Sequence, residues 1–312
     1  MFQKALTRSN NSRPPIWFMR QAGRYLPSYQ DLRKKYTLSE LFFTPELAKE
    51  VTLQPIRELG FDAAILFSDI TVVAKPLGLP LDFVDGIGPV VSSHEIKRSP
   101  VRESLFCVTE TIRLIRSELK VPLIGFCGGP FTVAHYLLPR ESLFDHSFLQ
   151  CITDVTLEYL DLQIDAGVEA IQIFDSWADL ISIEQQRIYC FPYHEQLIRK
   201  AQARKIPVIS FFRHATQHAH ELAQMAPDAI SFDAQKPLSE MRRLFPSLVL
   251  QGNLDPDLLF SSFSDIEKKT REILDSMRGD PGFIFNLSHG VKPGTPWKAV
   301  RHLISIVKNY GC

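Results

Sequence analysis

In the stretch PPIWFMRQAGRYLPSYQ, Pro14 to Gln30, Arg20 and Arg24 stand four residues apart among apolar and aromatic side chains. No Asp or Glu precedes them in the chain, so their own segment offers neither guanidinium a partner. Guanidinium forks pair bidentately with carboxylates. A helix over this stretch would put both arginines on one face. Arg13 reads as a weaker, solvated member of the set. A second group, His214, His218 and His220, has metal-like spacing, since His214 and His218 would share a helix face as zinc ligands do. No His-x-Cys pair occurs and no Cys lies within 213–220, which favours a solvated, histidine-rich helix start.

The elements that must position such groups recur along the chain. Short apolar runs end in polar residues: FDAAILFSD (61–69), VPLIGFCGG (121–129), EAIQIFDS (169–176), IPVISFFRH (206–214), DAISFD (228–233), SLVLQGN (247–253) and GFIFNLSHG (282–290). Continuous apolar runs of this length read as buried parallel strands. Helical segments lie between them. TPELAKEVTLQPIRELG (44–60) has Pro45 at a first-turn position and Gly60 as a stop, and SFLQCITDVTLEYLDLQIDAG (147–167) also ends at Gly. With GPVVSS (88–93) as an eighth, weaker strand, the pattern predicts an α/β fold, a single-domain (β/α)8 TIM barrel over residues 1–312. A doubly wound open sheet is the runner-up, weakened by the lack of any Gly-rich phosphate loop after a strand. In a barrel the C-terminal strand ends face the active site. Those ends supply Ser68-Asp69, Cys127-Gly128-Gly129, Asp175-Ser176, Arg213-His214, Asp233, Asn253 and Ser288-His289. Gly128 and Gly129 would let backbone approach a ligand closely. QGNLDP (251–256) reads as a turn into a helix capped by Asp255.

Formal net charge is zero, so no overall field points to nucleic acid or membrane, and neither partner is expected. Residues 1–36 nevertheless hold eight Lys or Arg against the single acid Asp31. On charge, residues 1–12 read as flexible; from Pro14 on, Ile16, Trp17, Phe18, Met19, Tyr25 and Leu26 demand a core. Five cysteines (Cys107, Cys127, Cys151, Cys190 and Cys312), odd in number and without C-x-x-C, argue for a reducing compartment. No signal-like apolar region and no run of about 18 apolar residues appears. A soluble cytoplasmic protein is expected.

Six motifs, in order from residue 14 to residue 297, then carry a resemblance: WFMRQAGRYLPSY, LFSDI, GFCGGPFTVAHYL, FDSWAD, QGNLDPDLLF and FNLSHGVKPGTP. Together they resemble the uroporphyrinogen decarboxylase family of haem biosynthesis. The resemblance implies a homodimeric (β/α)8 barrel that uses no metal and no organic cofactor. The implied reaction removes CO2 from the four acetate side chains of uroporphyrinogen III, giving coproporphyrinogen III. It implies Asp69, Arg20 and Arg24 as catalytic residues, and Tyr136, Ser176 and His289 as further substrate-binding residues. Four departures stand out. Ser288 replaces a Gly, Asp179 ends FDSWAD where the family has Gly, Asp233-Ala234 replaces Asp-Trp, and RHATQHAH (213–220) replaces a Gly-rich loop.

The implied substrate carries eight carboxylates and four inward pyrrole N–H groups. The carboxylate partners missing around Arg20 and Arg24 would come from it. Asp69, ionised, would accept the converging N–H groups and stabilise a protonated pyrrole, with helix capping as its structural alternative. Tyr136 and Ser176 would donate to carboxylates, or else tie a helix down and cap one. His289 would bind a propionate as imidazolium, or serve as a loop residue. The rival function is a zinc-dependent corrinoid or thiol methyltransferase of the same superfamily.

Overall fold

The apolar runs form strands because helices cover one side of each and the barrel interior the other. The computed structural model describes residues 1–311. Its strands are β1 (Ala64–Ile65), β2 (Leu81–Val84), β3 (Gly88–Val91), β4 (Leu123–Gly128), β5 (Ala170–Asp175), β6 (Val208–Phe212), β7 (Ala229–Ser231), β8 (Val249–Leu254) and β9 (Phe283–Leu287). Seven run parallel in the order β1-β4-β5-β6-β7-β8-β9. In β4, β6, β7, β8 and β9 every residue is buried.

The eighth stave is not GPVVSS. β3 pairs antiparallel with β2, Leu81 opposite Val91, in a hairpin outside the parallel sheet. The gap between β9 and β1 is filled instead by Pro15–Trp17. Phe285 N–H donates to Pro15 O (2.9 Å), Trp17 N–H to Phe285 O (3.4 Å), and Asp62 N–H to Ile16 O (2.9 Å). Pro14 and Pro15 lack backbone donors, so this stave is short and does not look like a strand. Its anchor is Asp62, whose Oδ2 accepts Ile16 N–H (2.8 Å) while Arg13 grips both carboxylate oxygens (2.7 and 2.9 Å). Arg13 is therefore a structural clamp rather than a solvated side chain.

Residues 1–12, expected to be flexible, contain the helix Phe2–Leu6 with Phe2, Ala5 and Leu6 buried. Phe2 and Leu6, four apart, supply a sticky face that a count of charges overlooks. The two helices expected to end at glycine do so: Pro45–Leu59 stops at Gly60 (φ 70°) and His146–Ala166 at Gly167 (φ 109°). Both glycines adopt the left-handed conformation that disfavours a Cβ. Asp255 caps the short helix Pro256–Phe260, accepting from Asp257 N–H. Cys107, Cys127, Cys151 and Cys190 are free thiols, and Cys312 lies outside the described residues. Among the described residues, no helix is long and apolar enough to cross a membrane.

The barrel interior holds a buried polar chain. Trp17 Nε1–H donates to Gln251 Oε1 (2.9 Å), and Gln251 Nε2 donates to Gln172 Oε1 (3.0 Å). The three residues come from the closing segment, β8 and β5, so the chain crosses the interior and ties the last stave to its opposite wall. Trp17→Phe keeps most of the apolar volume but leaves Gln251 Oε1 without a donor. An unpaired buried acceptor costs about 1–3 kcal/mol. The variant is expected to lose about 2 kcal/mol in urea unfolding; an unchanged midpoint would show that the bond does not hold the stave.

Candidate active site

At the C-terminal strand ends lies a cavity of about 570 Å3. Arg20, Arg24, Asp69, Tyr136, Ser176 and His289 all line it. Arg20 and Arg24 follow the closing segment, Asp69 follows β1, Ser176 follows β5 and His289 follows β9. Tyr136 sits in the helix Pro130–Leu137 after β4.

The arginine pair does not lie on a helix. Residues 19–26 form turns, and Arg20 itself has φ 59°, which no helix accommodates. The side chain of Arg20 rests on Gly290: a Cβ there would stand 2.8 Å from Arg20 Cδ. Gly290 is thus space reserved for the arginine. Among the described residues neither guanidinium has an ion-pair partner, whereas Arg13 outside the cavity is paired.

Asp69 is both a helix cap and a cavity residue. Its Oδ1 accepts from Thr71 N–H (2.8 Å) and Thr71 Oγ1–H (2.5 Å), capping the turn Ile70–Ala74. Oδ2 accepts no hydrogen bond among the described residues. Burial pushes the carboxyl above its usual range, opposed first by the Thr71 bonds and then by Arg20. Without ligand, burial outweighs these contacts and the net shift is upward. Aromatic rings pave the cavity beside it. Phe126 and Phe174 stand 5.7 Å apart, Phe174 and Phe211 5.6 Å, and Phe211 and His289 5.7 Å. On the other side Tyr136 packs edge-on against Trp177 at 5.9 Å.

A buried layer fixes the wall that carries Ser176. Thr132 Oγ1–H donates to Asp175 Oδ1 (2.5 Å) and accepts Trp177 N–H (3.0 Å). His194 lies behind, with Nδ1 3.7 Å from Asp175 Oδ2 and Nε2 3.0 Å from Ser210 Oγ. Gly128 and Gly129 serve this packing rather than a ligand. A Cβ at Gly129 would come 2.4 Å from the Asp175 carboxylate, and one at Gly128 2.5 Å from Val133. Cys127 is buried beside them and its thiol is pushed up, first by burial and then by Asp175, so it is no nucleophile.

The three histidines do not gather. His214 Nδ1 lies 3.2 Å from Asp179 Oδ2, and the ring of His220 packs on Phe245 at 5.1 Å. Among the described residues, no three His, Cys, Asp or Glu side chains are placed to hold a metal ion.

The model of the family described as Uroporphyrinogen decarboxylase (URO-D) matches residues 1–310. The chain belongs to the uroporphyrinogen decarboxylase family. It is 42% identical to the uroporphyrinogen decarboxylase of Protochlamydia amoebophila, over 98% of this chain and 90% of that one. Identity to the enzyme of the same name from Geotalea daltonii is 39%, and to that from Thermus thermophilus 37%, each over 95% of this chain and 94% of the other. Among solved structures, a methyltransferase from Methanosarcina mazei superposes with a TM-score of 0.82 over 99% of this chain and 97% of that one. At 18% identity that likeness shows the fold alone.

For this member of the decarboxylase family, motif reading singled out six cavity residues but missed others. Arg213, Trp177 and Lys292 also line the cavity, as do Phe126, Phe174 and Phe211. Arg213 was visible as a strand-end residue. The phenylalanines looked like ordinary core, because strand alternation does not say which rings lie at the open end.

His289 departs from its expected charge. Burial, then Arg20 and Arg213, lower its pKa to about 4, so without ligand the imidazole is neutral rather than cationic at pH 7. An ordinary histidine in the unfolded chain titrates near 6.5. The folded state therefore binds fewer protons between these values, and its stability falls as pH drops from 6.5 towards 4. His289→Gln removes that contribution. In urea unfolding the variant is expected to gain on the wild type between pH 7.5 and pH 5; a difference independent of pH would show that His289 titrates normally.

Proposed function

We propose that this chain catalyses the cofactor-free decarboxylation of the four acetate side chains of uroporphyrinogen III to methyl groups, giving coproporphyrinogen III. One observation carries the reading. Two arginines without acidic partners and one carboxylate with a free oxygen, among the described residues, line the same aromatic cavity, together with Tyr136, Ser176 and His289. Family membership supports it.

The substrate contributes both the negative charge and the electron sink. Its carboxylates dock on the forks of Arg20 and Arg24 and on the hydroxyls of Tyr136 and Ser176. His289, neutral without ligand, offers an N–H donor, and a carboxylate beside it would favour its cationic form. The pyrrole N–H groups converge on Asp69 Oδ2. Their hydrogen bonds and Arg20 lower the Asp69 pKa against the burial that raises it, so binding favours the carboxylate. Protonation of a pyrrole carbon makes that ring cationic. The bond to the acetate carboxylate then breaks, CO2 leaves, and the electron pair enters the ring to give an exocyclic methylene. A proton added to the methylene and one lost from the ring carbon restore the pyrrole and leave a methyl group. The ring performs the task that an electron-sink cofactor performs elsewhere. Asp69 stabilises the cation, an effect of preorganised charge. A guanidinium is a poor acid, so the proton is better supplied by a water that an arginine holds or by a substrate carboxyl group.

We read the whole chain as one catalytic domain working in the cytoplasm as a homodimer. Scattered free thiols support a reducing compartment. Exposed Phe144 and Ile188 supply apolar surface for a partner copy. Equilibrium sedimentation is expected to give twice the chain mass, and a monomer at micromolar concentration removes the dimer.

The central test separates charge from shape. Asp69→Asn keeps an oxygen to cap Thr71 but loses the carboxylate. Reduced uroporphyrinogen III would be incubated anaerobically in the dark, and products oxidised and sorted by carboxylate number. Wild type is expected to yield the four-carboxylate product, while the variant is slowed by about a hundredfold or more at unchanged stability. Untouched eight-carboxylate material from folded wild type sinks the decarboxylase reading.

A further inference from the structure

Arg213 has no place in the roles assigned so far. It follows β6, lines the cavity, and its side chain is 34% exposed. Its guanidinium lies over the Trp177 ring at 5.0 Å. Asp179 Oδ2 stands 4.0 Å from Nε, too far for a hydrogen bond, and Asp179 is closer to His214 Nδ1 at 3.2 Å. Among the described residues the Arg213 guanidinium donates no hydrogen bond, so both terminal nitrogens are uncommitted. The backbone around it is held. His214 turns the chain with φ 59°, and Asp233 accepts from Thr216 N–H (2.9 Å) and Thr216 Oγ1–H (2.8 Å).

The strand order gives this cation its meaning. The closing segment that leads to Arg20 and Arg24 sits between β9 and β1, and β6 lies four staves away, on the opposite wall. A macrocycle with carboxylates around its whole rim needs cations on more than one side. Lys292, the other lining cation, follows β9 and is held by both Asp257 oxygens at 2.6 Å. From the far half of the barrel, among the described residues, Arg213 supplies a guanidinium that donates no hydrogen bond and whose ion pair with Asp179 is 4.0 Å long.

We propose that Arg213 binds one rim carboxylate of the tetrapyrrole on the wall opposite Arg20 and Arg24, with Trp177 and Asp179 as positioning residues. The inference rests on the cavity being the tetrapyrrole site. The indole face orients the guanidinium without occupying its N–H groups. Asp179 biases its position through a long ion pair of 4.0 Å, with no hydrogen bond that a substrate would have to break. A carboxylate held here is remote from the bond that breaks, so the contact acts equally on ground and transition states and appears in KM rather than kcat.

The test uses the full-length protein and two readouts. Turnover of reduced uroporphyrinogen III gives kcat and KM. Binding of oxidised uroporphyrin, which keeps all eight carboxylates, gives Kd by tryptophan quenching without chemistry. Arg213→Gln is expected to raise both KM and Kd about tenfold with kcat within about twofold. Arg213→Lys keeps the charge but not the fork, and should recover part of the loss. Unchanged KM and Kd in Arg213→Gln overturn the proposal, as does a fall in kcat at constant KM. If the glutamine variant does not fold, the lysine variant decides: a Kd equal to wild type overturns the fork's role. A wild type that binds uroporphyrin but never decarboxylates defeats the assigned reaction, while the Kd comparison still tests Arg213.

Discussion

The barrel depends on how its last gap is closed. On one side of Ile16 its neighbours Pro15 and Trp17 exchange backbone hydrogen bonds with Phe285, on the other its own carbonyl accepts Asp62 N–H, and Arg13 locks the Asp62 carboxylate that receives Ile16 N–H. A parallel sheet with one stave missing would expose the edges of β1 and β9 and open the interior where Trp17 meets Gln251. The same few residues launch the chain directly into the turn that carries Arg20 and Arg24. Closing the fold and charging the cavity are therefore one structural act.

The cavity treats its ionisable groups unequally. Burial works against the charged forms of Asp69 and His289. Guanidiniums resist discharge because their intrinsic pKa is so high. The ligand-free cavity thus favours a positive potential set by Arg20, Arg24 and Arg213. A polyanion entering it is attracted first by charge and then meets aromatic walls from β4, β5 and β6. Once docked, it would alter the titration of the groups around it, its N–H donors acting against the burial that raises the Asp69 pKa.

Much of this was readable in the linear chain, for identifiable reasons. The seven parallel staves are legible because burial on both sides demands unbroken apolar runs, and their polar ends mark the mouth. The eighth is not, because Pro14 and Pro15 remove the pattern that announces a strand. Spacing placed Arg20 and Arg24 together, but through the wrong geometry: one left-handed residue does what a helical turn was expected to do. Gly128 and Gly129 look like a ligand cradle until Asp175 and Val133 are seen to fill the space beside them. Arg213 needed three dimensions, since its significance comes from Trp177 beneath it and from its distance around the barrel from the other arginines.

Gly290 sits under Arg20, and Ile16 pairs beside Phe285, so the two ends of the chain build one wall of the mouth. During synthesis the arginine-bearing segment leaves the ribosome well before β9 and must wait for that strand before its neighbours exist. The entropy of closing so long a loop grows only slowly with length, but contacts this remote in sequence form late and slow the search. A nascent or truncated chain that stops short of β9 carries the arginines without the surface that orients them. The seat of Arg20 on Gly290 therefore arrives only with β9 and the turn that follows it.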